Sequence, residues 1–328
     1  MTTTRVLLMG AGFMGKMHGN VYRSLPNAQL IGVVERQVER AQAYTNEFGV
    51  PAFSTLAEAQ SHVDFDAVDI CLPTHLHKEA TIEALLAGKD VLCEKPMALS
   101  LADADEMIRV SHESGRRLMI AHCIRFWPEY AKLKELKDSG ELGDLLSLNL
   151  TRYSQFPYWS SDNWLANELL SGGGVLDMHI HDTDFALYLC GEPDEMKSSG
   201  TVDEKGASHV FTTFRFGKTI VHAEGGWNLS SNAPFKMSFR AVFERGTVIW
   251  DASPFTIYRP DSAPEVVEFA QVEAEGGGNI SSLGGYFVTI REFIDRLQDG
   301  KPFVVSTVES SRRSVQTVLE EIAQIKSS

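Results

Sequence analysis

The sequence predicts an α/β protein: a doubly wound parallel sheet, then an α+β domain whose sheet is open and mostly antiparallel. Three observations carry this. Over the first third, short continuous apolar runs alternate with segments of helical period, the pattern of strands buried on both faces. From about residue 145 the runs instead alternate apolar with polar residues between turn glycines, as in a sheet with one face packed and one exposed. The length, 328 residues, corresponds to about two domains at roughly 150 residues each.

The predicted parallel strands are Val6–Met9, Leu30–Val34, Ala67–Leu72, Val91–Cys93 and Leu118–Ala121. Between them helices are predicted near Met14–Ser24, Gln37–Phe48, His77–Ala87 and Leu101–Ser114, with Ser100 as an N-cap and Gly88 and Gly115 as stops. The antiparallel strands lie in "HVFTTFRFG", "KTIVHAEGGW", "KMSFRAVFERGTVIWD" and "FTIYR". Helices are predicted at Glu129–Asp138, Val175–Leu189, Tyr286–Leu297 and Val308–Ile325, and "AEGGGNISSLGG" (Ala274–Gly285) as a flexible loop. The expected domains are residues 1–122 and 123–328.

Composition excludes several partners. A formal net charge of -14 argues against nucleic acid, which requires a basic face. No apolar stretch approaches the ~20 residues that span a bilayer, and "MTTTRVLLMGAGFMG" has neither a cleavage site nor a twin-arginine leader. A cytoplasmic location is expected. The four cysteines are scattered, with no C-x-x-C pair, so neither a disulfide nor a metal site is predicted.

"GAGFMG" follows the first strand and opens a helix. In that context Gly10 permits a tight turn, Gly12 allows backbone amides to approach a pyrophosphate, and Gly15 packs helix on strand. Phe13 and Met14 complete the loop. Glu35 ends the second strand about 20 residues on, where a carboxylate accepts from the adenosine ribose hydroxyls and repels a 2'-phosphate. NAD is therefore expected, with NADP possible if Arg36 takes the phosphate. A turn without ligand and an exposed Glu-Arg pair are the alternatives.

Lys95 in "CEKPM" leaves a strand at the carboxyl edge, where such sheets bind ligands, and Pro96 disfavours helix there. Its ammonium can stabilise an alkoxide; otherwise it is a surface partner of Glu94. Downstream, "GGGVLDMHIHDTD" puts Asp177 and His181 four residues apart on one predicted helix face. The histidine can accept a hydroxyl proton and the carboxylate can orient it, although such a pair is also an ordinary capping or surface contact. His179 is expected to be structural, and Asp182 and Asp184 to be ordinary polar positions. The aromatics of Thr151–Leu170, among them Tyr153, Trp159 and Trp164, suit a carbohydrate's C–H faces. Phe156 reads as core, and Arg152 either reaches substrate or forms a salt bridge.

Together "GAGFMG", "PTHLH" (Pro73–His77), "CEKPM", "RFWP" (Arg125–Pro128) and "GGGVLDMHIHD" resemble the Gfo/Idh/MocA family, the glucose–fructose oxidoreductase and inositol dehydrogenase group. The resemblance covers nearly the whole chain. It implies a Rossmann domain, an α+β domain whose open sheet serves in oligomerisation, and a homodimer or homotetramer. It implies Lys95, Asp177 and His181 as the catalytic set, and Pro73, Thr74, His77, Glu94 and Lys95 at the nicotinamide end. Arg125 joins the expected substrate contacts. The chemistry implied is hydride transfer between a secondary alcohol of a sugar or cyclic polyol and NAD. His181 is favoured as proton acceptor because an imidazole ionises nearer pH 7 than a lysine, at about 10.4. Two competing expectations are a glycoside-cleaving enzyme that uses NAD with no net redox change, and a non-catalytic dinucleotide-binding regulator.

Overall fold

The computed structural model describes residues 3–158, 160–269 and 284–327, and the chain forms two units, Met1–Phe126 with Gln271–Arg312 and Trp127–Ala270 with Arg313–Ser328. The first break thus falls four residues beyond the expected boundary. A late segment also belongs to the first unit, where a single cut at residue 122 was expected.

The first unit alternates strand and helix: β1 Thr4–Met9, α1 Phe13–Ser24, β2 Ala28–Val34, α2 Val38–Phe48, β3 Ala52–Phe53, α3 Leu56–His62, β4 Ala67–Ile70, α4 His77–Leu86, β5 Asp90–Glu94, α5 Leu101–Ser114 and β6 Leu118–Ala121. All strand pairs are parallel, in the order β3-β2-β1-β4-β5-β6, which is the doubly wound dinucleotide-binding order. The Ser100 side chain caps α5 by accepting from the Asp103 amide.

The second unit runs through α6 Pro128–Ser139, β7 Leu145–Gln155, α7 Glu168–Ser171, a π-helical turn Val175–His179, α8 Ile180–Cys190, β8 Glu195–Asp203, β9 Gly206–Phe216, β10 Thr219–Leu229, β11 Lys236–Phe243, β12 Gly246–Asp251, β13 Phe255–Tyr258 and β14 Glu265–Val267. Two helices follow, α9 Gly284–Asp299 and α10 Val308–Ser327. Most of the Ala274–Gly285 segment lies outside the described residues.

In the first unit, one sheet face packs against α1, α2 and α9. Ile290, Phe293 and Ile294 of α9 join Val6, Met17, Val21, Leu92 and Met119 in one buried cluster. Helix α4 covers β4 and β5 on the other face, with α5 beside it. Side-chain burial of this kind is the main favourable contribution to the fold.

In the second unit the eight strands run β14-β13-β12-β11-β7-β10-β9-β8, antiparallel except for the β7/β10 pair. Tyr130 of α6 meets Phe185 of α8, Phe239 of β11 and Trp250 of β12 edge-on, building the covered face. Alternate residues point away from it, and Phe211 and Tyr258 are each 42% exposed there. Among the described residues, no helix is long and apolar enough to cross a membrane.

Candidate functional site

The end of β1 delivers the chain into the glycine loop. Gly10 has φ of +100°, and a Cβ there would stand 2.6 Å from the Cys71 carbonyl oxygen, so only glycine fits. A Cβ on Gly15 would lie 1.9 Å from the Gly10 carbonyl oxygen, which is how α1 packs so closely on the loop. At Gly12, by contrast, a Cβ would meet nothing within 4 Å. Gly12 is the N-cap of α1 and no side chain caps it, so the electropositive helix start at Phe13, Met14 and Gly15 adjoins open space suited to an anion. The Phe13 and Met14 side chains turn into the apolar cluster, leaving their main chain to line the loop.

Glu35 is buried at the end of β2. Its Oε2 accepts from the Ala11 amide at 3.1 Å, and its Oε1 accepts from the Gln37 amide at 2.9 Å and from Arg40 at 3.0 Å. Burial opposes ionisation, but the bonds from Arg40, Gln37 and Ala11 outweigh it and hold this carboxyl below the usual range. Arg36 is exposed, and it is Arg40, which the sequence did not single out, that pairs with Glu35. A shallow depression lined by Glu35, Arg36, Val38, Phe53 and Ser54 opens alongside.

Pro73 and Thr74 follow β4, and Glu94 and Lys95 end β5, on the same carboxyl edge as the glycine loop. Thr74 and Glu94 are buried and Lys95 is half-buried. His77 differs from expectation. Its Nδ1 faces the Pro96 carbonyl and its Nε2 the Leu72 carbonyl, each at 2.8 Å. Burial lowers its pKa, so the neutral ring donates to one carbonyl at a time. Whichever carbonyl takes its proton, the ring stays wedged between the Leu72 and Pro96 main chains, which makes His77 a brace.

Beneath this edge lies a polar cluster the sequence reading missed. His18 Nδ1 is 2.8 Å from Asp69 Oδ2 and its Nε2 is 3.1 Å from Glu94 Oε1, while the Tyr22 hydroxyl donates to Asp69 at 2.8 Å. The second oxygen of Glu94 accepts from the Lys95 amide at 3.1 Å. His18 is 1% exposed and Asp69 fully buried. Burial disfavours the imidazolium, but the Asp69 charge prevails and raises the His18 pKa well above the usual value. A signal was present: Asp69 interrupts the apolar run Ala67–Leu72, and a carboxylate inside a buried strand requires a partner. His18, Asp69 and Cys71 also form a compact group of metal-ligating types, at separations that hydrogen bonds account for.

In the second unit, Gly173 has φ of +80° and a Cβ there would stand 2.9 Å from the Ala207 carbonyl oxygen. The glycines before the π-helical turn thus make room for β9 itself. Asp177 lies in that turn and His181 in the first turn of α8, both half-buried. Because a π-helical turn bonds i to i+5, the four-residue spacing across this junction does not by itself put them on one face. Such turns recur at functional sites. His179 is structural as expected: its Nε2 lies 3.1 Å from Glu321, which also accepts from Thr183.

Several expected substrate contacts are used elsewhere. Arg152 is buried, donating to Asp182 at 2.8 Å and to the Tyr130 hydroxyl at 3.2 Å, so the salt-bridge alternative holds. Arg125 is also buried and donates to the Val305 carbonyl and the Ser310 hydroxyl. Asp182 and Asp184, read from the sequence as ordinary polar positions, are instead fully buried, and Asp184 accepts from Ser314. Strand alternation puts Tyr153 on the sheet face opposite Arg152, hence away from α8. Trp164 packs beside Phe156, Trp227 and Met178, next to the π-helical turn. Trp159 lies outside the described residues.

Residues 4–122 match the model of an oxidoreductase family with an NAD-binding Rossmann fold, GFO_IDH_MocA, and residues 130–249 match the GFO/IDH/MocA C-terminal domain. A 2,7-anhydro-N-acetylneuraminate hydratase of Mediterraneibacter gnavus is 30% identical over 201 residues, 61% of this chain and 53% of the hydratase. A myo-inositol 2-dehydrogenase of Thermotoga maritima is 32% identical over 200 residues, 60% of this chain and 58% of that enzyme. The chain thus spans little more than half the length of these curated relatives. A levoglucosan dehydrogenase solved with NADH and levoglucosan superposes with a TM-score of 0.83 at 22% identity, covering 98% of both chains, a likeness of fold.

Proposed function

The chain belongs to the GFO/IDH/MocA oxidoreductase family, and from that premise we propose that it is an NAD-dependent dehydrogenase acting on a secondary alcohol of a sugar or cyclic polyol. The observation that carries the proposal is the carboxyl edge of the parallel sheet. There an uncapped helix start at an open glycine loop, an oriented Glu35 carboxylate and the anchored Lys95 lie on one edge. The loop and Glu35 suit NAD: main-chain amides from Gly12 to Gly15 would hold the pyrophosphate and Glu35 the adenosine ribose, while the Gly10 and Ala11 amides are taken by the Val34 carbonyl and Glu35. Pro73, Thr74, Glu94 and Lys95 serve the nicotinamide end. When bound, NAD supplies the hydride acceptor.

This chain's own residues do the rest. Lys95 donates to the substrate oxygen as negative charge develops on it. His181 accepts the hydroxyl proton, and Asp177 orients His181 or binds a neighbouring hydroxyl. Trp164 offers an aromatic surface to the sugar. The exposed sheet face bearing Phe211 and Tyr258 supports a homodimer or homotetramer.

The test is a panel of sugars, inositols and sugar acids with NAD+, scored for NADH. At least one secondary alcohol should give turnover. Lys95→Ala should lower kcat by about 10²–10³-fold, the scale of losing one oxyanion donor, while still binding NAD. Near-normal kcat in that variant would remove Lys95 from the chemistry. The hydratase relative favours a second reading, lyase or hydratase chemistry without net redox change. NAD retained through purification, with substrate consumed and no NADH formed, would select it.

A further inference from the structure

The Lys95 turn is held from two directions within the first unit. From one side His77 reaches the Pro96 carbonyl. From the other, the Glu94 side chain spans two partners, taking the Lys95 amide on one oxygen and the His18 ring on the other. His18 is itself fixed at its far nitrogen by Asp69, which Tyr22 steadies in turn. The line Tyr22–Asp69–His18–Glu94–Lys95 therefore runs unbroken from the interior of α1 to the main chain of the proposed catalytic lysine. Both nitrogens of His18 face carboxylate oxygens, so a singly protonated ring satisfies only one unless a carboxyl takes up a proton. The ionisable groups around it are Tyr22 of α1, Tyr44 of α2, Asp69 and Cys71 at the end of β4, and Glu94 and Lys95 at the end of β5. Tyr286 of α9 lies 6.2 Å away, ring centre to ring centre.

We infer that His18 is a positioning residue: it locks the Glu94 carboxylate in the orientation that fixes the Lys95 main chain and thereby aims the Lys95 ammonium. Without the His18 ring, Glu94 is free to rotate away from the Lys95 amide, and the ammonium swings on a loosened turn. A shift of 1 Å in a reacting group is enough to cost about 10²-fold in rate. The glycine loop and Glu35, which would hold the pyrophosphate and adenosine ribose, take no part in this line, so most of the NAD affinity is expected to survive its loss even though Glu94 and Lys95 belong to the nicotinamide end.

Because Lys95 owes its role to the function proposed above, the experiment needs a readout that does not depend on turnover. The full-length His18→Gln, Tyr22→Phe and Lys95→Ala variants are compared with wild type by thermal melting, NAD calorimetry, steady-state kinetics on whichever panel alcohol reacts, and acetic anhydride labelling. Labelling is scored by peptide mass spectrometry as the rate at Lys95 relative to exposed Lys197. His18→Gln is expected to lower kcat by about 10- to 100-fold with KM and NAD affinity little changed, and to alter relative Lys95 labelling severalfold. Tyr22→Phe, which perturbs the same buried cluster but leaves the His18–Asp69 and His18–Glu94 bonds, should lower the melting temperature and alter Lys95 labelling far less than His18→Gln does. Unaltered labelling in a folded His18→Gln protein overturns the inference, even if Lys95→Ala proves inactive. Equal labelling changes in Tyr22→Phe and His18→Gln would also overturn it, since general loosening then suffices. If Lys95→Ala keeps full turnover while His18→Gln alters labelling, the dehydrogenase role of Lys95 fails and the positioning role stands.

Discussion

Replacing Glu35 by alanine should convert cofactor preference. NADP carries an extra phosphate of about -1.5 to -2 charges. A unit charge about 4 Å from the Glu35 carboxylate is repelled by about 4 kcal/mol at an effective dielectric constant of ~20. Arg40, bonded to that carboxylate at 3.0 Å, and exposed Arg36 offset much of this. A net penalty of about 1.4–2.8 kcal/mol remains, which corresponds to NAD binding about 10- to 100-fold more tightly. In Glu35→Ala, NAD loses charge-assisted bonds worth about 1.5–3 kcal/mol. NADP instead gains a released Arg40 guanidinium. The ratio should therefore fall to near one or invert. Calorimetric titration of both proteins with both nucleotides, at low and moderate salt, measures it. Equal affinities in the wild type, or an unchanged ratio in the variant, would refute the assignment of Glu35.

Three further outcomes are expected. Arg152→Met leaves Asp182 buried without its cation and should cost about 3–5 kcal/mol of stability, read as a lower denaturation midpoint; an undisturbed midpoint with a raised KM would instead put Arg152 on the substrate. Because the folded-state pKa of Glu35 is depressed, its stabilising contribution is complete above the unfolded-state value and vanishes as pH falls through the folded one. NAD affinity should accordingly hold down to the ordinary carboxylate range and drop only below it, and a loss centred near neutrality would exclude Glu35 as the group responsible. Light scattering should find a dimer or tetramer, whereas a monomer at working concentration would contradict a buried Phe211/Tyr258 face.

Local chemistry made the first sheet legible. Continuous apolar strands, the glycine loop, the Ser100 cap and the acidic end of β2 each carry a signal in adjacent residues. Several elements escaped: Ala52–Phe53, α3, α7 and β14 are too brief to show a pattern, the alternation of β7 runs into the aromatic segment that follows it, and β8, "EMKSSGTVD", is a polar edge strand without apolar alternation. The roles of Arg125, Arg152 and His77 were hidden for another reason. Their partners lie far along the chain or in main-chain carbonyls, which no spacing rule reveals. The π-helical turn was equally invisible, because its composition is that of the α-helix it leads into. Asp69 was the one buried partner that the sequence announced, and His18 could have been sought from it.

The parallel sheet borrows α9, Gly284–Asp299, from far downstream of its last strand, and this bears on how the protein is made. During synthesis the apolar patch awaiting Ile290, Phe293 and Ile294 must stay bare while the whole intervening stretch leaves the ribosome. At about 5–20 residues per second that delay is on the order of ten seconds. A nascent chain in that interval is a natural client for a chaperone, and a fragment stopped at Phe126 would carry the same exposed patch permanently.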